Sequence, residues 1–161
     1  MPPRKTRTRK SASRKPSPKD AIALLKADHK EVKAMVEQFK KSRSESTQAK
    51  LAQQICAALK VHSQIEEEIF YPAARDALKK GGELIDEAEV EHTSVKELIA
   101  KIEGGSPGDD LWEAEVKVLG EYVNHHVKEE EGEIFPKVRK TKLDLVAIGE
   151  RLAERKASLT R

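Results

Sequence analysis

The chain has one cysteine, Cys56, in 161 residues, so a disulfide framework within it is impossible and a reducing compartment is expected. Aromatic residues are equally scarce at 4%, while 37% of the residues are charged. That balance suits solvent-exposed helices around a thin aliphatic core and argues against a sheet protein. No apolar run approaches the roughly 20 residues that a membrane span needs. The basic N-terminus is not followed by the hydrophobic segment of a secretion signal, and a cytoplasmic location is therefore expected. Residues 1–19 lack acidic residues altogether, hold eight Lys or Arg and four Pro, and contain no aliphatic side chain larger than alanine apart from Met1. Such a segment buries too little surface to fold and is expected to be disordered.

The formal charge of +3 thus divides between a strongly basic tail and a mildly acidic body, in which 23 basic face 28 acidic residues. The tail reads either as a non-specific attachment to nucleic acid through phosphate contacts or as a solubilising extension. It has no aromatic side chain on which a base could stack.

Helix starts are marked by Ser17-Pro18-Lys19-Asp20 and Ser106-Pro107-Gly108-Asp109, each read as a Ser cap, a Pro at the first helical position and an acid three residues after the cap. Thr141 to Asp144 repeats the cap and the acid. Helices are predicted over about 18–41, 47–79, 83–103, 108–139 and 142–157, with Pro72 and Pro136 kinking or ending the second and fourth. Short polar or glycine-rich connections favour antiparallel neighbours. The expected fold is all-α, an up-down-up-down four-helix bundle over 20–140, preceded by the tail 1–19 and followed by a short fifth helix within 141–161.

The two halves of this bundle repeat. Asp28-His29-Lys30-Glu31-Val32-Lys33 returns as Glu91-His92-Thr93-Ser94-Val95-Lys96, and HSQIEEEIFYP from His62 returns as HVKEEEGEIFP from His126. His29 and His92 fall within apolar stripes, Ile22, Leu25, Val32, Val36, Phe39 in one copy and Ile85, Ala88, Val95, Ile99, Ile102 in the other. His62 with Glu66, and His126 with Glu130, are four apart and share a helix face. A lone histidine on an apolar face is ordinarily a hydrogen-bonded core residue. Four at repeating positions, joined by two inward carboxylates that would be costly to bury without a cation, point to metal. Imidazole with carboxylate suits zinc or iron, and six groups exceed the four of a structural zinc site, so two ions bridged by Glu66 and Glu130 fit the count.

With Asp28-His29, His62 to Glu68, Phe70-Tyr71-Pro72, Glu91-His92, His126 to Glu131 and Phe135-Pro136, the chain resembles the hemerythrin family in its HHE cation-binding branch. The resemblance implies an oxo- or hydroxo-bridged pair of non-haem irons, with His29, His62, His92 and His126 as terminal ligands and Glu66 and Glu130 as bridges. It also implies a diatomic gas or peroxide as the small-molecule partner. The expected function is binding or sensing of oxygen, nitric oxide or peroxide. A di-iron redox enzyme that disproportionates peroxide or reduces nitric oxide, or an iron storage or repair protein, is the alternative. Oxygen-carrying members place a fifth histidine four residues after the ligand on the third helix, where this chain has Lys96. One iron is then more open, or His125, Glu89 or Glu133 completes it. Tyr122, one turn before His126, reads as a redox-active phenol or a core residue. Glu67, Glu68, Glu129 and Glu131 form an acidic fringe, with Glu131 able to replace Glu130 if the helix rotates, and Cys56 reads as a small buried residue.

Overall fold

The computed structural model describes residues 20–161; the basic tail 1–19, with Ser17, lies outside the described residues. All elements among those residues are helical: α1 (Ala21–Lys41), α2 (Glu45–Ile65), α3 (Tyr71–Ala77), α4 (Gly82–Glu103), α5 (Trp112–Glu129), α6 (Phe135–Arg139) and α7 (Leu145–Leu159). A π turn, Glu66–Phe70, joins α2 to α3, and a second, Glu130–Ile134, joins α5 to α6, so each pair runs as one long rod. The rods α1, α2–α3, α4 and α5–α6 form the antiparallel bundle, α1 between α2 and α5, and α4 likewise. Helix α7 lies over α1 and α2. None of these helices is long and apolar enough to cross a membrane.

The apolar stripes predicted for α1 and α4 are buried along their length. They feed two separate cores. One holds Val32, Val36, Phe39, Ile55, Ile99, Trp112, Leu119 and Val123; the other holds Ile22, Leu25, Phe70, Ile85, Phe135 and the α7 residues Ile148 and Leu152. Between them, at mid-height, every rod contributes buried polar side chains: Asp28 and His29, His62 and Glu66, His92, His126 and Glu130. The aliphatic clusters above and below exclude water from this layer and fix its helices.

Gly120 sets the distance between two rods, because a Cβ there would meet Val36 Cγ1 at 2.8 Å. The β-branched Val36 has little freedom to move aside. Gly120→Val is therefore expected to destabilise the protein by about 2–3 kcal/mol through overpacking, read as a lowered denaturant midpoint at unchanged slope.

The helix starts differ from those expected. Asp20 itself caps α1, its carboxylate accepting from Ala23 N at 2.8 Å, and Asp144 caps α7 by accepting from Ala147 N at 3.1 Å. A carboxylate in the cap position also meets the positive end of the helix dipole. Thr141 instead donates to Val138 O, closing the end of α6. Asp109 accepts from Ser106 N inside a turn that contains Gly108 at φ 98°, and α5 begins only at Trp112. The acids Asp20 and Asp144 are thus caps, and Asp109 is a turn former. The prolines neither break nor end their rods. Tyr71 N–H and Phe135 N–H, each just before a proline, reach back five residues to Glu66 O and Glu130 O. Proline has no N–H to offer and its ring crowds the preceding turn, and one extra residue in that turn lets the rod continue.

Candidate metal centre

Both π turns begin at the glutamate of a His-x-x-x-Glu pair. The four imidazoles turn their Nε2 atoms inward around Glu66 and Glu130. His62 Nε2 lies 2.7 Å and His92 Nε2 3.5 Å from Glu66 Oε1. Glu130 Oε1 lies 3.1 Å from His29 Nε2, and its Oε2 lies 3.0 Å from His126 Nε2. Each carboxylate therefore touches an imidazole from both copies of the repeat. Ligand-type atoms of His29, His62, Glu66 and Glu130 fall within 4.8 Å of one another, as do those of Glu66, His92 and His126.

These atoms approach without aiming at one another. His29 Nε2, His62 Nε2, both oxygens of Glu66 and Glu130 Oε1 are buried with no aligned hydrogen-bond partner. Buried polar groups left unpaired are costly. Nitrogen and oxygen atoms that converge on common points without aligned partners have the chemistry of metal ligands, and the residues present fit a cation with nitrogen and oxygen ligation.

A carboxylate faces each outward Nδ1 in the same repeating order, within hydrogen-bond distance for His62, His126 and His29 and farther off for His92. Asp28 Oδ2 holds His62 Nδ1 at 3.0 Å, and Glu91 Oε1 holds His126 Nδ1 at 3.1 Å. Glu131 Oε1 lies 3.5 Å from His29 Nδ1, and Glu67 Oε1 lies 3.9 Å from His92 Nδ1. A carboxylate behind an imidazole fixes its ring and tautomer and raises its basicity, as metal-ligating histidines require. Lysines steady two of these acids: Lys156 Nζ from α7 binds Asp28 Oδ1 at 2.5 Å, and Lys96 Nζ binds Glu67 at 2.7 and 2.8 Å.

Electrostatics point the same way. Burial opposes charge on His62 and His126, yet the Glu66 charge and the Asp28 hydrogen bond push His62 up to about 10, and hydrogen bonds to Glu130 and Glu91 push His126 up to about 11. Glu66 is held well below the ordinary carboxylate range, since His62 and His92 outweigh its burial. With protein groups alone, imidazolium is the cation that balances the buried carboxylates. A metal ion serves that need better, at the point where the donors meet.

Tyr71 is the residue that sequence reasoning missed. Its hydroxyl donates to Glu130 Oε2 at 2.7 Å and stands 3.2 Å from His92 Nε2 and 3.3 Å from His126 Nε2. Burial and the charges of Glu66 and Glu130 push its pKa well above the usual value, which keeps the O–H as a donor. The π turn supplies the reason: five residues after Glu66, Tyr71 stands over it, and five after Glu130, Phe135 stacks on His29 with ring centroids 6.0 Å apart. Tyr122, the tyrosine singled out by helical spacing, is 47% exposed. Lys96 points outward to Glu67, Glu89 pairs with Arg75 at 3.5 Å, and Glu133 is exposed. His125 lies on the surface, 67% exposed, and Glu131 backs His29 without replacing Glu130. Cys56 is buried in an apolar core, where desolvation raises its thiol to about 11.

An antiparallel bundle with two His-x-x-x-Glu pairs facing each other at mid-height defines a class of cation-binding helical proteins. The chain belongs to the hemerythrin HHE cation binding domain family, whose model matches residues 20–138. Its fold is similar to the crystal structure of a hemerythrin HHE cation binding domain-containing protein, the Rv2633c homologue from Mycobacterium kansasii. That likeness has a TM-score of 0.73 at 25% identity and covers 88% of this chain and 87% of the other. A curated relative, named DNA nickase, from Nostoc sp. (strain PCC 7120 / SAG 25.82 / UTEX 2576), is 28% identical over 118 residues. The match takes in 72% of this chain but 32% of the relative, so the chain spans about a third of that protein's length. Family and cluster together make this a metal-binding protein.

Proposed function

We propose that the chain is a non-haem di-iron protein that binds or senses oxygen, nitric oxide or peroxide, its irons held by His29, His62, Glu66, His92, His126 and Glu130. The observation that carries this reading is that Glu66 and Glu130 each contact imidazoles of both repeat copies, the placement a bridging carboxylate requires. Bound irons would supply the electrons and the open coordination position that a diatomic gas or peroxide needs. The protein's own groups do the rest. Asp28, Glu91 and Glu131 hold the rings of His62, His126 and His29, the two apolar cores exclude water, and the Tyr71 hydroxyl offers a proton or hydrogen bond beside His92 and His126. Lys96 supplies no fifth imidazole, which leaves coordination room on this side of the centre.

A second reading, a peroxide-disproportionating or nitric-oxide-reducing enzyme, is favoured by that same phenol, since disproportionation moves protons from one peroxide to the other and nitric oxide reduction takes protons up at the site. The test is anaerobic iron loading, metal analysis, and stopped-flow mixing of the diferrous protein with oxygen, nitric oxide and peroxide. About two irons per chain are expected, because six ligands with two shared carboxylates exceed the needs of one ion. A stable adduct supports binding, and repeated consumption supports the enzyme. One zinc per chain, unchanged by iron supply, would overturn the di-iron assignment.

The tail carries a separate expectation of non-specific nucleic-acid binding. Its eight positive charges should give an affinity for unrelated DNA duplexes that falls steeply with salt, as neutralised phosphates release counterions. The acidic body, residues 20–161, should bind weakly or not at all while loading iron normally. Identical, salt-insensitive behaviour of the full-length and truncated chains on a gel-shift salt series would leave the tail as a solubilising extension.

A further inference from the structure

The repeat fails at one informative place outside the buried centre. In the first copy, the carboxylate that orients His62, Asp28, gives its other oxygen to the ammonium of Lys156 on α7. In the second copy the equivalent carboxylate is Glu91, which orients His126 through Oε1. Its Oε2 faces His125 Nε2 at 3.6 Å, and His125 Nε2 in turn lies 3.2 Å from Glu129 Oε1. Ligand-type atoms of all three residues fall within 4.8 Å of one another. Among the described residues, no Lys or Arg is ion-paired with Glu91 or Glu129. The positions that match His125 and Glu129 in the first copy are Val61 and Ile65, so this triad belongs to the second copy alone. Among the described residues no helix like α7 covers it: it lines an open groove with Glu87, Asp86 and the 67% exposed Val90. Asp86 is taken up by Arg75, but Glu87 adds a further negative charge at the rim.

We infer that Glu91, His125 and Glu129 form a surface site for a divalent transition-metal ion, which hands its ion to the buried centre along Glu91. The ion takes the place that Lys156 fills in the other half, against the outward oxygen of an orienting carboxylate. One imidazole and two carboxylates are a borderline donor set that holds divalent iron, manganese or cobalt without the closure of a buried site. The exposure of His125 suits exchange with solvent. Glu91 links the two sites, since one of its oxygens faces His125 on the surface and the other holds the outward Nδ1 of His126, whose Nε2 faces the buried centre. An acidic groove also concentrates cations at its mouth, which raises capture rates.

Binding at the triad stands by itself; delivery rests on the proposed buried metal centre, and the experiment separates the two. Substoichiometric Mn2+ added to the full-length metal-free protein should broaden the NMR signals of the His125 imidazole first, and His125 broadening should be relieved in Glu129→Gln. Fe2+ uptake into the buried centre, followed anaerobically by the fraction of iron resistant to a fast external chelator, should be slowed at least about tenfold in the double variant His125→Ala/Glu129→Gln, with the final iron content unchanged. Broadening with no preference for His125 would overturn the site, and equal uptake rates would overturn delivery. If wild-type protein takes up no iron, delivery falls together with the buried-centre reading, while the Mn2+ measurement still decides the surface site.

Discussion

Glu66→Gln is expected to lose both irons. Glu66 Oε1 is the oxygen nearest to His62 in one copy and also faces His92 in the other, so the amide removes a shared anionic ligand and leaves each half with imidazoles and Glu130 alone. Iron content should fall from about two per chain to below one. Thermal stability should follow, because a ligand bound only to the folded state contributes about 4 kcal/mol when present at a thousand times its dissociation constant, and this contribution disappears with the ion. The metal-free variant should also melt below metal-free wild type at neutral pH, since the amide ends the pairing of Glu66 with protonated His62, but the gap between the two proteins should be wider with iron. His125→Ala, remote from the shared oxygens, should end with wild-type iron. Metal analysis and paired melts with and without iron check all of this; a Glu66→Gln chain that keeps two irons would show that Glu66 bridges nothing.

The second large effect is one of pH. In the folded metal-free protein the neighbouring carboxylates push His62 up to about 10 and His126 up to about 11, above the ordinary 6.5 of histidine. Their protonated pairing with Glu66, Asp28, Glu130 and Glu91 is therefore a stabilising contribution that is complete below about pH 6.5 and lost as pH rises through 10 to 11. Metal-free protein should become progressively less stable from pH 7 to pH 10. Ligation requires neutral imidazoles, so loading at pH 7.5 should displace about two protons per chain. The iron-bound form has no such protons to lose, and its advantage in melting temperature should widen with pH over that range. A pH indicator in weakly buffered solution counts the protons, and melts across the series give the slope. A flat metal-free profile together with no proton release would show that the buried carboxylates are neutralised by other means.

The six inward residues could be picked out because helical periodicity and the internal repeat act on the same positions. Two copies of an ordered pattern locate a face that one copy cannot. Tyr71 was beyond that arithmetic. Steps of three and four hold as far as Glu66, but the π turn then adds a residue, and the side chain over the carboxylate is the fifth one on. The same spacing applied to α5 promoted Tyr122, which faces solvent. Pro72 and Pro136 were the visible sign of the disturbance, read as breaks because a lost N–H ordinarily ends a helix. Asp28 and Glu91 each precede a histidine in sequence, yet each orients the histidine of another rod, a pairing that only the packing of the bundle discloses. At the starts of α1 and α7 the cap is a carboxylate, since a charged oxygen is a strong acceptor for free N–H groups at the positive end of a dipole.

The two π turns carry a consequence for the equivalence of the metal positions. Each lifts an aromatic ring into the centre, and the rings differ by a single oxygen: Tyr71 presents a phenol where Phe135 presents only carbon. Two ions held by matching sets of imidazole and carboxylate would otherwise have the same affinity for electrons and for exogenous molecules. One hydrogen-bond donor on one side removes that degeneracy. A pair of ions bound as proposed would therefore have a polarity, with a preferred end for an incoming molecule and unequal potentials at its two positions, although the scaffold that builds the centre is a duplication.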